Sequence, residues 1–184
     1  EKQFVSQGYG TGRKDVMFND YVIVGPEGSQ PFSGDVEDVF ARLADAGVEF
    51  ISRGDDSGTH KKERSLWTKA GVEPSSLASY LETGQGMGET LRIASEKQAH
   101  AITDRATFLA LQDTLDLDVV YEGPGLRNQY GVVVVDGALQ QEAAGVFADW
   151  MTSDAARNVI GEFGVEEYGQ PLFVPNAVVN GQPR

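Results

Sequence analysis

The chain has 184 residues, 40% of them apolar, enough material for one large domain or two small lobes with a core. Asp and Glu total 28 against 15 Lys and Arg, and the formal charge of -13 disfavours nucleic acid and anionic membranes as partners. There is no cysteine, which excludes disulfides and thiolate metal sites, and no apolar run approaches the roughly 20 residues of a membrane span. A small anion stays admissible, because a local site feels its own donors while distant surface charge is screened beyond roughly 8–10 Å.

Apolar runs alternate with helical spacing along the chain. Tyr21-Val22-Ile23-Val24 reads as the first strand, followed by a helix over 35–46 that opens at Asp35 and stops at Gly47. A strand over 48–51 leads into a helix over 57–70, opened by Ser57 and stopped by Gly71. Helical spacing over 87–97, a strand at Ala101-Ile102, a helix over 104–113, strands over 118–121 and 131–135, and one long helix over 139–163 complete the series. The alternation predicts an α/β fold with largely parallel strands.

Gly25-Pro26 and Gly123-Pro124-Gly125 interrupt this pattern at two places that bracket the middle of the chain. They predict a central lobe over 27–122 and a terminal lobe made from 1–26 together with 123–184, joined by two crossings that form a hinge and a cleft. The terminal lobe is thin, with two convincing strands. It is expected to be incomplete, its missing strands preceding Glu1 or coming from a second chain or from self-association.

The most informative segment is Ser52-Arg53-Gly54-Asp55-Asp56-Ser57-Gly58-Thr59-His60-Lys61-Lys62-Glu63, which lies where a strand turns into a helix. Arg53 offers a planar fork of donors. Ser57 and Thr59 offer hydroxyls, and the helix start offers unpaired N–H groups at the positive end of its dipole. Gly58 lets a ligand approach the backbone closely. These residue types together read as an oxyanion receptor. Asp55 and Asp56 repel a dianion, so a structural role is expected, one holding Arg53 and one accepting N–H groups in the turn; selection of a protonated ligand is the alternative. Thr103-Asp104-Arg105 opens a further helix, where Arg105 is either a second cation for the site or a solvated arginine behind an Asp104 cap. Asp56, Ser57 and His60 are too close in sequence for a Ser-His-Asp relay, and the strained G-x-S-x-G turn is absent.

The run from Phe50 through Trp67 resembles the signature of the periplasmic tungstate-binding receptors of ABC importers. The likeness extends to Tyr9-Gly10, Asn19 to Pro26, Gly84 to Gly88, Ala94 to Lys97, Thr103 to Arg105 and Glu166 to Phe173, all in the family's order. Arg53, Asp55, Ser57, Gly58 and Thr59 are similar to the Arg-x-Asp-x-Ser-Gly-Thr pattern of phosphate receptors. The resemblance implies a two-lobed periplasmic-binding-protein-like (type II) fold and a non-enzymatic, exported receptor, periplasmic or extracellular. It would capture tungstate, or the related molybdate, phosphate or sulfate, for a membrane permease. Its expected ligand-binding set is Arg53, Ser57, Gly58, Thr59, Ser52 and Arg105, with no cofactor or metal; an enzyme using the same loop is the alternative. Family members begin with a strand and a Thr/Ser-rich anion loop that have no counterpart in this chain, which implies that part of the cleft lies outside it.

Overall fold

The structure is a computed structural model, and it describes residues 2–177. The chain divides into two compact units, Asp20–Arg127 and Glu1–Asn19 with Asn128–Arg184. The division lies outside the expected crossings, so residues 20–26 and 123–127 go with the central unit. The reason is β1, Gly10–Pro26, a single 17-residue strand whose last part is built into the central sheet.

In the central unit, β1 lies between β4 (Ala101–Asp104) and β5 (Leu117–Tyr121), antiparallel to both, with Ile23 opposite Ile102 and Val24 opposite Val119. On the far side, β2 (Phe50–Ser52) and β3 (Tyr80–Glu82) pair in parallel, and a parallel bridge from Phe50 to His100 joins them to the segment entering β4. The helix-connected strands thus share one direction, as expected from the α/β alternation, while β1 runs against them. This corrects part of the parallel reading: β1 enters from the other unit rather than through a helical crossover.

Strand periodicity sorts the core into two layers. Tyr21 and Ile23 face α2 (Val36–Asp45) and α3 (Gly58–Lys69), where Val39, Phe40, Leu43, Phe50, Leu66 and Trp67 are buried. Val22 and Val24 face the opposite layer with Ile51, Leu91, Ala94 and Phe108, from β2, α4 (Met87–Lys97) and α5 (Arg105–Leu111). A strand covered on both faces explains the unbroken run Tyr-Val-Ile-Val. Trp67 anchors the first layer, its ring edge-on to Phe40 at 4.5 Å and to Phe50 at 5.2 Å between centroids.

In the terminal unit, the first part of β1 pairs with β6 (Arg127–Val135) and with the short β7 (Val174–Pro175). The short α1 (Lys2–Ser6) precedes it. The long helix expected over 139–163 is two helices, α6 (Gln141–Met151) and α7 (Asp154–Glu162). Ser153 breaks it, because its side chain caps α7 by accepting from the Ala156 N–H at 3.3 Å. A last turn, α8 (Val165–Tyr168), follows. The unit is lightly packed: Val16, Ala148, Ala156, Ile160 and Ala177 are buried, while Val146, Phe147 and Trp150 of α6 stand exposed.

Candidate functional site

The chain leaves β2 at Ser52, turns through Arg53–Asp56 and enters α3 at Gly58. Gly54 sits at φ +60, and a Cβ there would lie 2.5 Å from the Glu82 Cβ, so only glycine fits the turn on both counts. The turn is latched to the segment after β3. Thr83 N–H donates to the Ser52 carbonyl at 3.0 Å, and Gly84 N–H donates to the Arg53 carbonyl at 2.8 Å.

Asp55 takes both structural roles expected of the two aspartates. Its Oδ2 accepts from Arg53 Nε at 3.1 Å and from Nη2, and its Oδ1 accepts from the Ser57 N–H at 3.1 Å. The Ser57 hydroxyl, the Ser57 N–H and the Arg53 guanidinium together hold its carboxyl down at about 2. Arg53 is thereby fixed with its Nη1 edge unengaged among the described residues. Asp56 stands at φ 59; its N–H donates to His60 Nδ1 at 3.0 Å, and its carboxylate pairs with Lys61 at 3.2 Å.

Ser57 is the N-cap of α3, its Oγ accepting from the His60 N–H at 3.3 Å. Gly58 N–H and Thr59 N–H meet no acceptor among the described residues, as expected for the first turn of a helix. The Thr59 hydroxyl is likewise unengaged. Gly58 is exposed, and a Cβ built on it would stand 3.9 Å from the Tyr21 hydroxyl. Tyr21 also pairs with Asp104 in the β1/β4 ladder, so it links the start of α3 to the end of β4.

The structure therefore brings Arg53, Ser57, Gly58 and Thr59 together at one helix start. Ser52 is beside them but buried, its hydroxyl donating to Glu63 Oε2 at 2.7 Å and accepting from the Gly54 N–H at 3.2 Å. Arg105 heads α5 behind an Asp104 cap that accepts from Thr107 N–H at 2.9 Å, and its guanidinium pairs with Glu122. Ser57 and His60 form no relay: the His60 ring takes its hydrogen bond from the Asp56 backbone, and the Ser57 oxygen receives the His60 backbone N–H.

Two residues at this site escaped the sequence reading. Tyr21, read as the first residue of a strand, is a core residue whose hydroxyl also comes near the start of α3. Glu63 is buried and accepts from Ser52, from Trp67 Nε1 at 3.1 Å and from the Tyr80 hydroxyl at 2.7 Å. Its signal is the i,i+4 spacing to Trp67, which puts a carboxylate on the helix face that carries the largest fully buried side chain.

Residues 1–155 match the model of the PBP superfamily domain. The chain is 43% identical over 187 residues to the tungstate-binding protein TupA of Peptoclostridium acidaminophilum, covering 96% of this chain and 65% of that protein. It is 34% identical to the TupA of Campylobacter jejuni, covering 96% and 69%. Among solved structures, the tungstate-binding protein TupA from Desulfovibrio alaskensis superposes with a TM-score of 0.80 at 36% identity, covering 96% of this chain and 75% of that one. The chain spans between 55% and 69% of the lengths of the curated relatives it matches. The chain belongs to the PBP superfamily and, within it, to the family of the TupA proteins.

Proposed function

We propose that this chain is the ligand-capturing receptor of an ABC importer, and that its ligand is tungstate. The observation that carries the reading is the start of α3, where a guanidinium fixed by Asp55, two backbone N–H groups with no acceptor among the described residues and the hydroxyl of the buried Thr59 lie within seven consecutive residues. A tetrahedral dianion leaving water needs that combination: a cation that costs little to order and several donors to replace its hydration shell. Arg53, pinned by Asp55, supplies charge. Gly58 and Thr59 supply N–H groups at the positive end of the α3 dipole, and the Thr59 hydroxyl adds a donor. Ser57 contributes mainly by capping the helix and holding Asp55.

Ser52 supports the site from beneath, because its one proton is directed to Glu63 rather than outward. Arg105 is paired with Glu122 through Nη2, which offsets part of its charge. The proposal carries with it an exported location, periplasmic or extracellular, and a membrane permease as partner. Capture is non-covalent and needs no cofactor, and the relatives named above are binding proteins. The reading is tested by titrating the chain with tungstate, molybdate, sulfate and phosphate while following thermal unfolding, since a ligand of the folded state raises stability by RT ln(1 + [L]/Kd). Stabilisation by tungstate at the lowest concentration supports it. Stabilisation by phosphate or sulfate alone reassigns the ligand, and turnover of a phosphorylated substrate would replace the receptor with an enzyme.

A further inference from the structure

Behind the anion loop, Glu63 gathers three elements into one carboxylate. Ser52 reaches it from β2, Tyr80 from β3, and Trp67 from its own helix. Its Oε1 accepts from Trp67 and Tyr80, and its Oε2 takes the only proton of the Ser52 hydroxyl. That commitment leaves the Ser52 oxygen lone pairs for the Gly54 N–H, in a turn whose Ser52 and Arg53 carbonyls are already held by Thr83 and Gly84. The chain of hydrogen bonds runs from Glu63 through Ser52 to the peptide between Arg53 and Gly54. No protein cation pairs with Glu63 in the described contacts, so its hydrogen bonds alone offset its desolvation.

We infer that Glu63 is a positioning residue for oxyanion capture, acting through the Ser52 hydroxyl to hold the Arg53–Gly54 backbone in its binding geometry. The inference rests on the receptor reading above and deepens it. It carries a proton linkage as well. Burial pushes the Glu63 carboxyl up to about 7. The titratable groups facing it are Tyr80 and Glu82 of β3, with His60 of α3 turned toward Glu82 at 3.5 Å and β2 contributing the neutral Ser52. Protonation turns one of the two accepting oxygens of Glu63 into a donor, as the amide of glutamine would, so tungstate affinity falls toward that of Glu63→Gln as pH drops from about 8.5 to 6.5.

The test is calorimetric titration with tungstate of the wild type, Glu63→Gln, Ser52→Ala and the double variant across that pH range, with circular dichroism to establish that each folds. In Glu63→Gln the amide oxygen still accepts from Trp67 and Tyr80, but the amide nitrogen faces Ser52 as a donor, and the hydroxyl loses its acceptor. Tungstate affinity drops about tenfold, the pH dependence disappears, and the double variant binds no more weakly than Ser52→Ala. Wild-type affinity and pH dependence in Glu63→Gln, or additive losses in the double variant, overturn the inference. Should Glu63→Gln not fold, Ser52→Ala alone decides, since undiminished binding there overturns it. If the wild type binds tungstate at no pH, the receptor reading itself fails, an outcome distinct from the others.

Discussion

Replacing Gly58 by alanine separates folding from binding at the centre of the site. Gly58 is the first residue of α3, exposed and in helical backbone, and beyond its chain neighbours and its own helix backbone an added Cβ would meet, among the described residues, the Tyr21 hydroxyl at 3.9 Å. That is an ordinary contact, so the protein accommodates the methyl. Alanine is the better helix former by up to about 1 kcal/mol in a helix interior and by less in a first turn, so stability stays level or rises slightly. The bound anion has no such tolerance. An oxygen accepting from the Gly58 N–H must come within roughly 2.9 Å of the nitrogen, in the space beside the Cα that the methyl enters. Losing one charge-assisted hydrogen bond of about 1.5–3 kcal/mol weakens binding roughly tenfold to a hundredfold. Urea unfolding measures the first quantity and calorimetric titration with tungstate the second. Wild-type tungstate affinity in Gly58→Ala would refute the placement of the anion at the α3 start.

Arg53→Ala removes the fixed cation and is expected to weaken tungstate binding by at least about a hundredfold in the same titration, with unfolding in urea little changed because the side chain is half-buried at the surface. Trp67→Ala removes a fully buried ring packed on Phe40 and Phe50 and should cost about 3–5 kcal/mol in urea unfolding. Asp55, held at about 2 against an ordinary 3.8, contributes stability that is present above the higher value and lost as pH falls toward the lower, so Asp55→Asn flattens that part of the acid unfolding curve. Glu63 has the opposite sign. Its carboxyl, raised from 4.5 to about 7, contributes stability that is full below 4.5 and lost as pH rises through 7, so the Tm of the wild type falls relative to Glu63→Gln over that interval.

The candidate site can be read from the sequence because its residues are local. Arg53, Asp55, Ser57, Gly58 and Thr59 lie within seven consecutive residues, and capping and turn rules place them without knowledge of the rest of the fold. What lay outside reach depended on pairing between distant segments. The direction of β1 was missed because periodicity marks Tyr21–Val24 as a doubly covered strand and says nothing about which way its neighbours run. The earlier part of β1 carries Arg13, Lys14 and Asp15 and keeps mostly exposed positions, so no apolar rhythm announces it. The break between α6 and α7 was written in Thr152-Ser153-Asp154, an N-cap signature lying inside a stretch whose apolar spacing continues on both sides. Glu63 went unread because a glutamate in a polar helix is a solvated residue by default, and only the meeting of β2, β3 and α3 buries it.

The most direct test of the central claim is calorimetric titration of this chain with tungstate, and in parallel with molybdate, sulfate and phosphate, alongside Arg53→Ala. The account predicts saturable binding of tungstate by the wild type, weaker binding of the other anions, and loss of binding in Arg53→Ala. Tungstate binding that survives unchanged in Arg53→Ala, or a folded wild type that binds none of the four anions, would contradict it.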